Sequence, residues 1–91
     1  RNYTKLGSNI YIFEGKTLLK DFFKILNLPD DEFDEIEGDA DSLAGLLLEI
    51  KGDFPAVHEM LIYKNYKFEV LAIEERRISK VKVTVCGTNN E

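Results

Sequence analysis

Apolar positions along the chain recur first at the spacing of a strand, then at that of two helices, then at that of three more strands. Residues 9–15, NIYIFEG, form a short apolar and aromatic run closed by Gly15. The run is too short for a useful helix and rich in strand formers, so it predicts a strand. RNYTKLGS before it, residues 1–8, reads as a lead-in. In TLLKDFFKILN, Leu18, Leu19, Phe22, Phe23, Ile25 and Leu26 share one broad face, and Lys20, Asp21, Lys24 and Asn27 lie opposite. That spacing predicts an amphipathic helix with Thr17 as its N-cap, ended by NLP.

From Pro29 the pattern lapses into LPDDEFDEIEGDADS, residues 28–42, where Phe33 and Ile36 are the large apolar side chains beyond Leu28. Their separation of three suggests one helical turn pinning an otherwise polar loop to the core. SLAGLLLEIKGDFP follows, with Asp41 or Ser42 placed to cap a second helix and Gly52 to stop it. Its interior is apolar nearly all round, so it must be covered on more than one side, and Gly45 offers a place where another backbone comes close.

HEMLIY, YKFEVLAI and ISKVKVTV are the remaining strands. A turn at Lys64–Asn65, where Asn tolerates positive φ, joins the first two, and EERR joins the second pair. Tyr66, Phe68 and Val70 alternate with Lys67 and Glu69, and Val81, Val83 and Val85 with Lys80, Lys82 and Thr84, giving each strand one core face and one wet face. Ile73 and Ile78 fall out of phase, which predicts a β-bulge or strong twist near residues 74–77. The order β-α-α-β-β-β is that of an α+β domain: an antiparallel sheet of about four strands with two helices on one face. GTNNE, residues 87–91, is a tail.

Ninety-one residues allow one core and little else. With 44% hydrophobic and 32% charged residues the chain is globular, and no apolar run approaches the roughly 18 residues of a membrane span. The formal charge is −5, but residues 28–42 hold eight carboxylates and no base, leaving nine acids against twelve Lys and Arg elsewhere. An acidic chain with pI 4.9, no Trp and no interleaved basic and aromatic motif argues against a nucleic-acid partner. The single Cys86 has no intramolecular disulfide partner. The chain opens on Arg1 with no initiator Met and no signal peptide, so it reads as a piece of something longer.

Two clusters carry candidate chemistry. In the acidic run Asp34, Glu37, Asp39 and Asp41 are the candidate ligands of a weak surface metal site, although no register supplies the Gly and Glu of an EF-hand loop. Carboxylates ~6 Å apart in water repel by about 0.7 kcal/mol per pair, enough to attract a divalent ion loosely. A solvated loop or a docking surface explains the same residues. Arg76, Arg77, Lys80 and Lys82 form a basic strip of opposite sign, read as solubility and edge protection or as a docking surface. His58 has no second His or Cys beside it, and the glycines are scattered singly, so neither a catalytic triad nor a phosphate loop is suggested. An enzyme is not expected, and neither is a cofactor.

The ordered series Ser42, Ala44–Gly45, Leu46 to Leu48, Gly52-Asp53-Phe54-Pro55, His58–Glu59, Phe68 to Leu71 and Arg76-Arg77-Ile78 resembles the CorC/HlyC transporter-associated domain, over residues 9–86. That family is the C-terminal unit of hemolysin-like and magnesium/cobalt-efflux proteins. Asp53, His58 and Ala44 depart from its pattern, which often has a base, a glycine and a first glycine there. The resemblance implies a fold like one lobe of certain flavin-binding domains, with membrane and CBS domains upstream in the same chain. It further implies a regulatory or interaction role in ion transport at the cytoplasmic face of the bacterial inner membrane, without insertion by this fragment. The alternative is a small-ligand or divalent-cation sensor using residues 30–41. A homodimer formed through the apolar flank of residues 43–50 is a further expectation.

Overall fold

The structure is a computed structural model and describes residues 3–87. Residues 1–2 of the expected lead-in and 88–91 of the expected tail lie outside the described residues. Five strands form one antiparallel sheet: β1 (Tyr3–Lys5), β2 (Ile10–Glu14), β3 (Met60–Tyr63), β4 (Tyr66–Glu74) and β5 (Arg77–Val85). Their spatial order is β1-β2-β5-β4-β3. Helices α1 (Leu19–Leu26) and α2 (Leu43–Lys51) lie between β2 and β3 in the chain.

The alternating residues of β4 and β5 meet as expected, with Tyr66, Phe68 and Val70 opposite Val85, Val83 and Val81. Tyr11 and Phe13 of β2 continue that face opposite Val83 and Val81. Against it pack Leu19, Phe22 and Phe23 from α1 and Leu43, Leu46 and Leu47 from α2, all buried. The register shifts between Val70 and Ile73, so the phase slip in the sequence is a bulge, beyond which Ile73 pairs with Ile78.

Residues 3–5 of the supposed lead-in are instead strand β1. Tyr3 pairs with Phe13, and its ring stacks on that of Phe13 at 5.5 Å. Three residues are too few to display an alternation, so this strand exists only through its pairing with β2. Thr17 does not cap α1. Leu18 is the N-cap residue, with no side-chain cap bond, while the buried Thr17 hydroxyl donates to the Glu14 carbonyl at 2.6 Å. The helix starts without a polar cap because the Leu19 N–H is satisfied by the Asp41 carbonyl (2.9 Å). In the β3–β4 turn the positive φ falls on Lys64 (52°), not Asn65. Asn65 ties the turn to the end of β5 by donating its side-chain amide to the Cys86 carbonyl (3.0 Å).

For α2 the local signals agree with the structure. The Gly45 N–H donates to Ser42 Oγ at 3.1 Å, and Gly52 closes the helix at φ 78°. Close backbone approach occurs at Gly15 and not at Gly45. A Cβ on Gly15 would stand 2.0 Å from the Ile78 carbonyl oxygen, whereas one on Gly45 would meet the side chains of Ala40 and Ser42.

The acidic segment is a succession of turns anchored by Phe33, which is fully buried. Its ring stacks on Phe23 (5.8 Å, 11°) and meets Tyr66 at 5.2 Å and Tyr63 at 5.4 Å. Phe33→Ala is expected to cost about 3–5 kcal/mol. Asp34→Asn on the exposed side of the same turn should change stability by less than about 0.5 kcal/mol. Equilibrium urea unfolding of both variants checks the contrast.

Candidate functional site

Two regions bring together polar groups and partly exposed apolar side chains. The first lies where both helices begin. Leu18 and Ser42 form a β-bridge, the Leu43 N–H donates to the Thr17 carbonyl (2.8 Å), and the Ala44 N–H donates to the Gly15 carbonyl (2.9 Å). These bonds hold the start of α2 against the β2–α1 turn, and the Gly15 N–H donates to the Ser79 carbonyl (3.0 Å) of β5. Glu75 and Arg76 join β4 to β5 in a two-residue turn with φ of 52° and 64°. Both central residues are positive, as a type I′ turn demands, and neither is glycine.

Between these parts is a cavity of 460 Å³ lined by Leu18, Ala44, Leu48, Phe54 and Ile78, with Lys16, Arg76, Arg77 and Asp41 among its polar walls. Leu18, Leu48 and Phe54 are 43%, 37% and 42% exposed, so three large apolar side chains stand open to solvent here. Lys16 lies 3.6 Å from Glu14. Among the described residues Arg76 and Arg77 enter no ion pair. Leu18, on the apolar face predicted for the first helix, and Leu48, in the apolar run of α2, are thus not fully covered. The signal available was the nearly all-apolar surface of α2, whose flank at Leu48 is left uncovered.

The basic strip does not hold together. Arg76 and Arg77 line this groove, but Lys80 and Lys82 lie on the sheet face opposite to Val81 and Val83, away from the helices. There they stand across from Glu14 and Glu69, cross-strand neighbours of opposite charge.

The second region is the acidic segment. Glu37 and Asp41 line a cavity of 460 Å³ with Asp30, while Asp34 and Asp39 do not. Glu37 Oε1 is buried with no hydrogen-bond partner. Among the described residues, no three His, Cys, Asp or Glu side chains form a set that could hold a metal ion. The four acids proposed from sequence are therefore not brought together. Glu32 has a structural part: its carboxylate accepts from the Tyr66 hydroxyl (2.6 Å), and its carbonyl accepts from Lys64 Nζ (2.8 Å). His58 is exposed, with Nδ1 3.6 Å from Glu69 Oε2. Its φ of 71° is the left-handed conformation that glycine adopts most easily. The Lys51 ammonium and the Ala56 N–H both donate to Glu59, holding its carboxyl below the usual range.

Burial, then the hydrogen bond to the Glu32 carboxylate, pushes the Tyr66 phenol well above its ordinary value. Below about pH 10 both folded and unfolded chains keep this proton and the contribution is complete. At higher pH the unfolded chain releases it first, so stability falls. Tyr66→Phe is expected to cost about 0.5–1.5 kcal/mol at neutral pH through the lost hydrogen bond. It should also flatten the loss that sets in above about pH 10, measured by urea unfolding from neutral pH upward through that point.

The transporter associated domain family CorC_HlyC matches residues 4–86, and the chain belongs to it. The transporter associated domain of a CBS domain protein from Porphyromonas gingivalis is 37% identical, with TM-score 0.87, over 96% of this chain and 100% of that one. A hemolysin domain from Enterococcus faecalis V583 is 22% identical, with TM-score 0.78, over the same shares. The CorC_HlyC domain of a Xylella fastidiosa Temecula1 hemolysin, solved in complex with Mg²⁺ and Mn²⁺, is 15% identical, with TM-score 0.76, again over 96% and 100%. The last two share the fold. No curated protein matches the chain. The α+β architecture expected from the order of elements is thus that of the family's solved domains, with five strands where about four were expected. Among the described residues no helix is long and apolar enough to cross a membrane.

Proposed function

We propose that this domain is a non-catalytic regulatory and interaction module of a hemolysin-like, CorC-type membrane protein. In this reading it lies at the cytoplasmic face of the bacterial inner membrane, beside CBS and membrane domains of the same chain, and modulates ion transport. Family membership over residues 4–86 supports the setting. The observation that carries the interaction role is the groove, where apolar side chains stand open beside two arginines that enter no ion pair among the described residues. Leu18, Leu48 and Phe54 are partly exposed together in one groove, and a docking surface needs such contiguous apolar area flanked by charge.

Deleting this domain from the parent protein is expected to change its transport of Mg²⁺ or Co²⁺, or its assembly, with the membrane domain still produced. Isotope or dye flux in vesicles, with native gel analysis of the same preparations, measures both. Unchanged flux and assembly would refute the module.

The competing reading is a divalent-cation sensor in the acidic segment. Docking is favoured because Asp34 and Asp39 stand apart from the cavity that Glu37 and Asp41 share. Under the docking reading, a Mg²⁺ titration followed by amide NMR is expected to give no saturable shifts confined to residues 30–41. Saturation at millimolar ion in that segment would reverse the preference.

A further inference from the structure

We infer that the groove between the start of α2 and the Glu75–Arg76 turn receives a peptide segment that presents a carboxylate next to a large apolar side chain. The proposal rests on the interaction-module reading and names the surface and the chemistry of its partner.

The apolar half of the argument is the arrangement of Leu18, Leu48 and Phe54 around Ala44 and Ile78. A volume of 460 Å³ falls within the roughly 300–1,000 Å³ of sites that take compact ligands, and an open groove with an exposed aromatic wall suits an inserted side chain. The polar half is charge. Lys16, Arg76 and Arg77 face the groove against one carboxylate, Asp41, and Lys16 already has Glu14 beside it. Two guanidinium groups outside any ion pair among the described residues are a fork for carboxylate oxygens, and a planar guanidinium binds them in a bidentate manner that a lysine does not. An anionic bilayer is a poorer fit, because basic clusters that hold such surfaces typically bring about 4–8 Lys and Arg. The chain as a whole is also acidic, at −5.

Backbone geometry supports the same assignment. Arg76 occupies φ 64° in a turn where glycine or asparagine is the usual occupant. A non-glycine residue in that region is strained and persists where its side chain is needed or its surroundings enforce it. Arg76→Gly therefore separates the two roles: it relieves the backbone and removes the cation in one step.

The test uses the 91-residue chain and a short fluorescein-labelled peptide in which Asp and Glu alternate with Leu and Phe. Two controls carry Lys in place of the acids or Ser in place of the apolar residues. Fluorescence anisotropy gives affinity, and amide NMR locates the contact. The expected result is saturable binding of the first peptide alone, with shifts at residues 16–18, 44–48, 54 and 75–78. Arg76→Gly and Arg77→Gln should each weaken it roughly tenfold, about 1.4 kcal/mol. Arg76→Gly should do so while unfolding at equal or higher urea. Leu48→Ser should weaken binding with the fold retained by circular dichroism. Absence of shifts at the groove up to millimolar peptide overturns the proposal. So does equal binding of the Lys control, tighter binding to phosphatidylserine vesicles than to the peptide, or self-association that Arg76→Gly abolishes. If deletion of the domain alters transport but the groove variants bind normally, the groove fails and the module stands; if deletion alters nothing, the module fails and the peptide data still decide the groove.

Discussion

Phe33 is the point on which the two halves of the molecule meet. It sits in a segment with eight carboxylates that has no regular helix or strand of its own, and its ring lies between Phe23 of α1 and Tyr63 and Tyr66 of the β3–β4 hairpin. Carboxylates so close together repel and favour an expanded chain, so the segment is compact only because one large apolar side chain is buried and the turns around it are hydrogen bonded. The Ile36 and Glu37 N–H groups both donate to the Phe33 carbonyl, and Glu32 is held by Tyr66 and Lys64. Acidic surface is thereby placed on a rigid support.

A second constraint shapes the groove. The backbone bonds from Leu19 to Asp41, Leu43 to Thr17 and Ala44 to Gly15 lock the two helix starts together, and the bond from Gly15 to Ser79 holds the Gly15 backbone close against Ile78 of β5. Once α2 is set at that position, its core residues Leu43, Leu46 and Leu47 face the sheet and Leu48 is left outside, near Phe54. The exposed apolar wall follows from geometry: a helix that is greasy on most sides, seated on one sheet, has a flank with nothing over it.

Charge is distributed by the same geometry into separate roles. Alternation along β5 sends Lys80 and Lys82 to the open sheet face, opposite Glu14 and Glu69, where they support strand pairing. The turn sends Arg76 and Arg77 to the groove. Membership of the CorC_HlyC family gives this arrangement its setting.

Much of this was legible in the chain because the signals are local. Ser42 three residues before Gly45 and Gly52 at the end of the apolar run mark the limits of α2, since a helix end is satisfied by residues within one turn of it. The out-of-phase Ile73 and Ile78 reveal the bulge, since a strand with one buried face records its register in its own residues. Strand β1, the true start of α1 and the split of the basic strip were not legible. Each depends on a partner distant in sequence: Phe13 for Tyr3, the Asp41 carbonyl for Leu19, the face chosen by β5 for Lys80 and Lys82. The sequence by itself determined which residues are apolar, where elements begin and end by their own caps, and that eight acids lie in one run. Only the tertiary structure decided which apolar residues remain in water and which charges share a surface, because those outcomes are set by the contact of segments that carry no information about one another until they pack.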